Sequence, residues 1–105
     1  MGMGWALREE MIYEEGTGYF NDGYSKYMMF TNGDMPEIDT ILLESNDPIG
    51  PYNAKGLGEA GMVPTTPAIL SAVEDAIGIR FEEFPLTPER VLTAINEARK
   101  NGANI

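Results

Sequence analysis

The sequence predicts a small α+β domain over residues 1–105: an N-terminal helix and hairpin, a central strand, then helix–strand–helix. Three observations carry this. The last third holds two runs with apolar residues at helical spacing, each behind a Thr-Pro start. Ile41, Leu42 and Leu43 are consecutive aliphatics bounded by turn signals. Glycine-centred turns separate short extended runs in the first third.

In order along the chain, Trp5, Ala6 and Leu7 followed by Glu9 and Glu10 suit a short helix, although no capping residue precedes it. That uncapped opening hints at truncation. Met11–Glu14 and Tyr19–Phe20 flank the turn Glu15–Gly18 and predict a hairpin. Asn21–Gly23 and Asn32–Asp34 before Pro36 are further turns. Ile38–Glu44 reads as a strand buried on both faces, and residues 45–58 as a long loop of the kind that carries function. Thr66 as N-cap and Pro67 at the first helical position start a helix with Ile69, Ala72, Val73, Ala76 and Ile77 on one face, ended by Gly78 in the left-handed region. Ile79–Phe84 partly alternates, as a strand with one wet face does. Thr87 and Pro88 start the last helix, whose stripe is Val91, Leu92, Ile95 and Ala98, with Arg99 and Lys100 at its negative end.

Composition narrows the chemistry. There are 17 Asp and Glu against 7 Lys and Arg, net −10, which disfavours non-specific nucleic-acid binding. With no cysteine and no histidine, disulfides, thiolate metal sites, iron–sulfur ligation and Ser–His or Cys–His catalysis by this chain are excluded. No apolar run approaches the roughly 20 residues of a membrane span, and no signal-peptide pattern opens the chain. The default expectation is a cytoplasmic protein.

The chemically suggestive stretch is Pro51–Gly61, PYNAKGLGEAG, where Gly56 and Gly58 let backbone approach a ligand closely beside Lys55 and Glu59. A carboxylate near a helix N-terminus suits a base rather than an acid. The bland alternative is a plain loop. The pairs Glu9–Glu10, Glu14–Glu15 and Glu82–Glu83 point apart and read as solvated faces. Met1, Met3, Met11, Met28 and Met29 read as core filling, and the five tyrosines as half-buried strand residues rather than a ring-stacking set.

Five separated stretches together add a resemblance: GMGWALREE (Gly2–Glu10), DMPEI (Asp34–Ile38), AKGLGEAG (Ala54–Gly61), PAILSAVEDA (Pro67–Ala76) and PLTPERV (Pro85–Val91). In this order and spacing they resemble the C-terminal end of the molybdopterin-binding subunit of the molybdenum hydroxylases, the xanthine dehydrogenase, aldehyde oxidase and carbon-monoxide dehydrogenase family. The resemblance implies that Glu59 is the catalytic general base beside the molybdenum. It implies hydroxylation of an aldehyde, purine or N-heterocycle, with water as oxygen source. Lys55, Gly56, Leu57 and Gly58 would run past the pterin cofactor. Asn53 departs from the family, where glycine is common. Family subunits are several times longer, so the chain is expected to be a fragment, the C-terminal part of a molybdopterin-binding domain, inactive alone. Molybdopterin, as the cytosine dinucleotide, is expected in the complete enzyme and none on this chain alone. The implied partners are an upstream molybdopterin-binding segment or subunit and iron–sulfur and FAD subunits. The competing expectation is a non-catalytic remnant or a binding module, with homo-oligomers possible through uncovered apolar surface.

Overall fold

The computed structural model describes residues 1–20 and 23–103, so the expected turn at Asn21–Gly23 lies partly outside the described residues. The short helix expected at the N-terminus is α1 (Gly2–Leu7), uncapped by any side chain. The hairpin follows as β1 (Tyr13–Glu14) and β2 (Gly18–Tyr19), antiparallel, with Tyr13 opposite Tyr19 and Glu14 opposite Gly18. Gly16 (φ 86°) and Gly18 (φ 93°) take the positive φ values its turn requires. A single 3₁₀ turn lies at Asn32–Asp34, and a tight turn with left-handed backbone at Pro51–Asn53. The chain ends in α2 (Thr65–Ile77) and α3 (Pro88–Lys100). The architecture is a small α+β one whose only described sheet is two-stranded.

Two expected strands do not form. Residues 38–44 and 79–84 belong to no regular element. A strand is a ladder of hydrogen bonds with a neighbour, and among the described residues neither segment makes one. The 79–84 segment keeps the expected alternation without a ladder: Ile79 and Phe81 are half-buried, Arg80 and Glu82 exposed. Residues 38–44 keep nothing, and all are exposed.

α2 begins two residues earlier than expected, and Thr66 does not cap it. Its hydroxyl is buried and donates to the carbonyl of Gly2 at 3.0 Å, 64 residues away in sequence. Gly78 ends α2 in the left-handed conformation (φ 70°), with its amide on Glu74 O. The Thr87 side chain accepts from the Arg90 amide at the start of α3. Along α3, Ala94 rather than Leu92 completes the half-buried stripe, and Leu92 faces solvent.

Packing centres on α1. Gly2, Gly4 and Ala6 are its buried residues. A Cβ on Gly2 would lie 2.6 Å from Thr65 Cβ, so only glycine lets α1 and α2 approach this closely. The Leu86 amide donates to Ala6 O at 2.6 Å, and Leu86 is buried. Arg90 ties the start of α3 to this seam, donating to Pro85 O at 2.7 Å and pairing with Glu10. Glu9 accepts from the Tyr27 hydroxyl. Burial, reinforced by that carboxylate, pushes the Tyr27 phenol above its ordinary value. Glu9 and Glu10 therefore point apart as expected, but each takes a partner rather than only water.

The whole is extended. Its radius of gyration is 18.7 Å, against about 13 Å for a compact domain of this length. Its accessible surface is 8885 Å², against roughly 5,800 Å² for a compact monomer of this mass.

Gly2→Ala should therefore destabilise the chain by about 1–3 kcal/mol through overpacking. Gly33→Ala, whose nearest neighbour would be Thr31 Oγ1 at 3.8 Å, should be close to neutral in the same denaturant titration. A second expectation concerns Asp34, which accepts from the backbone amide and then the hydroxyl of Thr31 and lies 3.6 Å from Arg8. The Thr31 bonds, backbone first, hold its carboxyl below the usual aspartate range. Because the folded-state value is the lower one, the resulting stabilisation is complete above the unfolded-state value and is lost as pH falls through the folded one. Carboxyl NMR should show Asp34 titrating below free aspartate, and Thr31→Ala should return it part of the way. An unshifted Asp34 would contradict the turn.

Candidate functional site

The stretch from Gly50 to Gly61 is built from backbone rather than side chains. The Asn53 amide donates to Gly50 O and the Ala54 amide to Pro51 O, forming a tight turn. A Cβ at Gly50 would stand 2.0 Å from Ala54 O, so the turn requires glycine there. Tyr52 (φ 53°) and Asn53 (φ 61°) both occupy the left-handed region. Asparagine tolerates that region better than most other side chains, so Asn53 adopts it without being glycine. The preceding Asp47 accepts the Ile49 amide at 2.9 Å in an Asx turn.

Residues 54–57 then run without regular structure. Among the described residues, the amides of 55–61 donate to no backbone carbonyl. A Cβ at Gly56, Gly58 or Gly61 would meet nothing within 4 Å. The strip is thus bare backbone with open donors, the arrangement that binds anionic oxygens. Lys55 and Glu59 stand exposed at its two ends, and no ion pair joins them. The Glu59 carbonyl accepts the amides of Met62 (2.9 Å) and Val63 (3.3 Å), a turn that leads into α2. Glu59 therefore precedes α2 by several residues and lies outside its first turn. The helix dipole expected to act on it falls off within that first turn and does not reach it.

An open groove of about 610 Å³ lies elsewhere, between residues 80–83 and α3. Its walls carry Glu82, Glu83, Glu89 and Glu97 with Arg80 and Arg90, and none of its lining comes from residues 50–61. No group of three or more Asp or Glu among the described residues is placed to hold a metal ion. No described helix is long and apolar enough to cross a membrane.

No protein-family model matches the chain. Curated relatives do. It is 40% identical over 92 residues to the xanthine dehydrogenase molybdenum-binding subunit of Escherichia coli O157:H7, covering 87% of this chain and 12% of that protein. It is 40% identical over 94 residues to the aldehyde oxidoreductase molybdenum-binding subunit of E. coli K12, covering 88% and 13%. The chain is a homologue of the molybdenum-binding subunits of xanthine dehydrogenase and aldehyde oxidoreductase. A third relative, the gamma subunit of a 6-hydroxypseudooxynicotine dehydrogenase complex from Paenarthrobacter nicotinovorans, is 35% identical over 105 residues, covering 94% of this chain and 13% of that one. Among solved structures, quinoline 2-oxidoreductase from Pseudomonas putida 86 superposes with a TM-score of 0.78 at 31% identity, covering 91% of this chain and 13% of that one. The chain thus spans about an eighth of the length of the relatives it matches. The homology bears out the resemblance carried by the five sequence stretches.

The left-handed pair Tyr52–Asn53 was not legible from the sequence alone; Gly50-Pro51 was its one signal. Replacing Asn53 with the β-branched Asn53→Val should cost about 1–2 kcal/mol at that position. Limited proteolysis should then cut residues 46–58 faster, by roughly tenfold, while Asn53→Gly leaves the rate near that of the parent. Equal rates for Val and Gly would contradict the left-handed assignment.

Proposed function

We propose that the chain supplies the catalytic-base segment of a molybdenum hydroxylase, corresponding to the C-terminal part of its molybdopterin-binding domain. The observation that carries this is the exposed Glu59 at the end of a bare backbone strip, in a homologue of molybdenum-binding subunits. The strip leaves room for a cofactor: its amides over Lys55–Gly58 are open, and the open space around Gly56 and Gly58 lets an anionic group lie against the backbone. Lys55, Gly56, Leu57 and Gly58 would hold one side of molybdopterin, in its cytosine dinucleotide form. When bound, that group supplies the redox chemistry that oxidises an electron-poor carbon with oxygen from water.

The chain's own part is acid–base and positional. The ionised Glu59 carboxylate accepts a proton from the water-derived nucleophile as its oxygen attacks carbon. The turn at 59–63 fixes where that carboxylate starts, because the Glu59 carbonyl is held by two amides. The loop residues exclude water only when something covers them, since every residue from 51 to 61 is exposed. The isolated chain accordingly has no turnover. It acts with an upstream molybdopterin-binding segment, and through it with iron–sulfur and FAD subunits.

The test is co-expression with an upstream partner segment, followed by molybdenum analysis and a dye-linked hydroxylation assay. Glu59→Gln should leave metal content unchanged and lower turnover by roughly 10²–10⁴-fold, the usual worth of a positioned base. Turnover within tenfold of the parent at equal metal content would refute the role.

A further inference from the structure

Residues 38–43 form the most exposed apolar run in the described chain: Ile38 is 71% exposed, Ile41 83%, Leu42 79% and Leu43 90%. Among the described residues, the backbone of 36–45 makes no backbone–backbone hydrogen bond. Six residues is the ordinary length of a strand. In an extended chain, Ile38 and Leu42 fall on one face and Ile41 and Leu43 on the other. A run apolar on both faces suits an interior strand of a sheet covered on both sides, which the described residues, with one two-stranded sheet, do not supply.

The occupant is narrowed by charge and by size. Glu37 and Glu44 flank the run and Asp39 lies within it. A second copy pairing antiparallel about the centre would set Glu37 opposite Glu44. A parallel copy in register would set each acid beside itself. Like charges directly opposite destabilise a sheet, and two chains of net −10 repel. The surface in excess of a compact monomer is roughly 3,000 Å², in the class of permanent rather than transient association. The same extended shape is held in quinoline 2-oxidoreductase, as 13% of a longer chain.

We propose that residues 38–43 add as an interior β-strand to a sheet of the remaining part of a molybdenum-binding subunit, with basic residues on the neighbouring strands facing Glu37 and Glu44. The inference rests on the hydroxylase reading above and names the surface by which the segment joins its partner. Main-chain bonds supply the pairing. Ile41 and Leu42, on opposite faces, are both buried in the assembly.

The probe is the E. coli K12 aldehyde oxidoreductase subunit with the 94 residues that match this chain removed. Titrated with the full 105-residue chain, it should form a one-to-one complex. Ile41→Lys and Leu42→Lys should each weaken it at least about 30-fold, as loss of a buried anchor does. Ile49→Lys, exposed but outside the run, should bind like the parent. Weakening by only one of the two lysine variants, or a homodimer of the chain that Ile41→Lys abolishes, would overturn the proposal. If no complex forms in trans, a chimera carrying this chain in place of those 94 residues decides the matter. Its amides 38–43 must exchange at least about 100-fold more slowly than in the free chain, and equal exchange overturns the inference. Glu59→Gln should dock like the parent, so docking that survives while turnover is indifferent to Glu59 would sink the base assignment alone.

Discussion

The carbonyls of α1 organise the rest of the chain. Gly2 O takes the buried Thr66 hydroxyl and Ala6 O takes the Leu86 amide, so one six-residue helix gathers the start of α2 and the approach to α3. Ala6 lies in the last turn of α1, where a carbonyl lacks an intrahelical partner, and a buried one must find another. Both acceptors lie on the small-residue face of α1, where Gly2, Gly4 and Ala6 let other backbone come close. Arg90 and Glu10 close the same seam from the outside. Everything compact in the molecule lies around this seam. Residues 35–61, which carry the candidate base and the apolar run, lie beyond it.

That division explains why the candidate site is open. A functional pocket needs walls, and here the seam anchors the loop only through the turn into α2. Glu59 and the Lys55–Gly58 strip are held at one end and bare along their length. Such a strip binds little alone, because ordering it has no offsetting burial. Against a larger surface, the same open amides become donors in a dry environment, where each counts for more.

The legibility of the sequence follows the same line. Features fixed by local chemistry were readable: the Thr87–Pro88 start of α3, the left-handed Gly78, and the hairpin turn at Glu15–Gly18. Features fixed by tertiary contact were not. Thr66 looked like a cap and instead bonds to Gly2, and Glu10 looked solvated and instead pairs with Arg90. Ile38–Glu44 looked like a buried strand because its pattern is that of one, yet a pattern records the environment a segment suits and not whether the chain itself provides it. Glu59 was singled out by glycine chemistry and by family resemblance. The helix dipole invoked for it does not reach it.

The seam is the chain's own, and the proposed function has a partner complete the loop. Backbone amide exchange, measured on the chain alone and on a molybdenum-loaded assembly containing it, tests both halves at once. The Leu86 amide should exchange slowly in both states, because Ala6 O holds it without help. The amides of Lys55–Gly58 should exchange near the unprotected rate in the free chain and become protected in the assembly. Fast exchange at 55–58 in the loaded, active assembly would contradict the account.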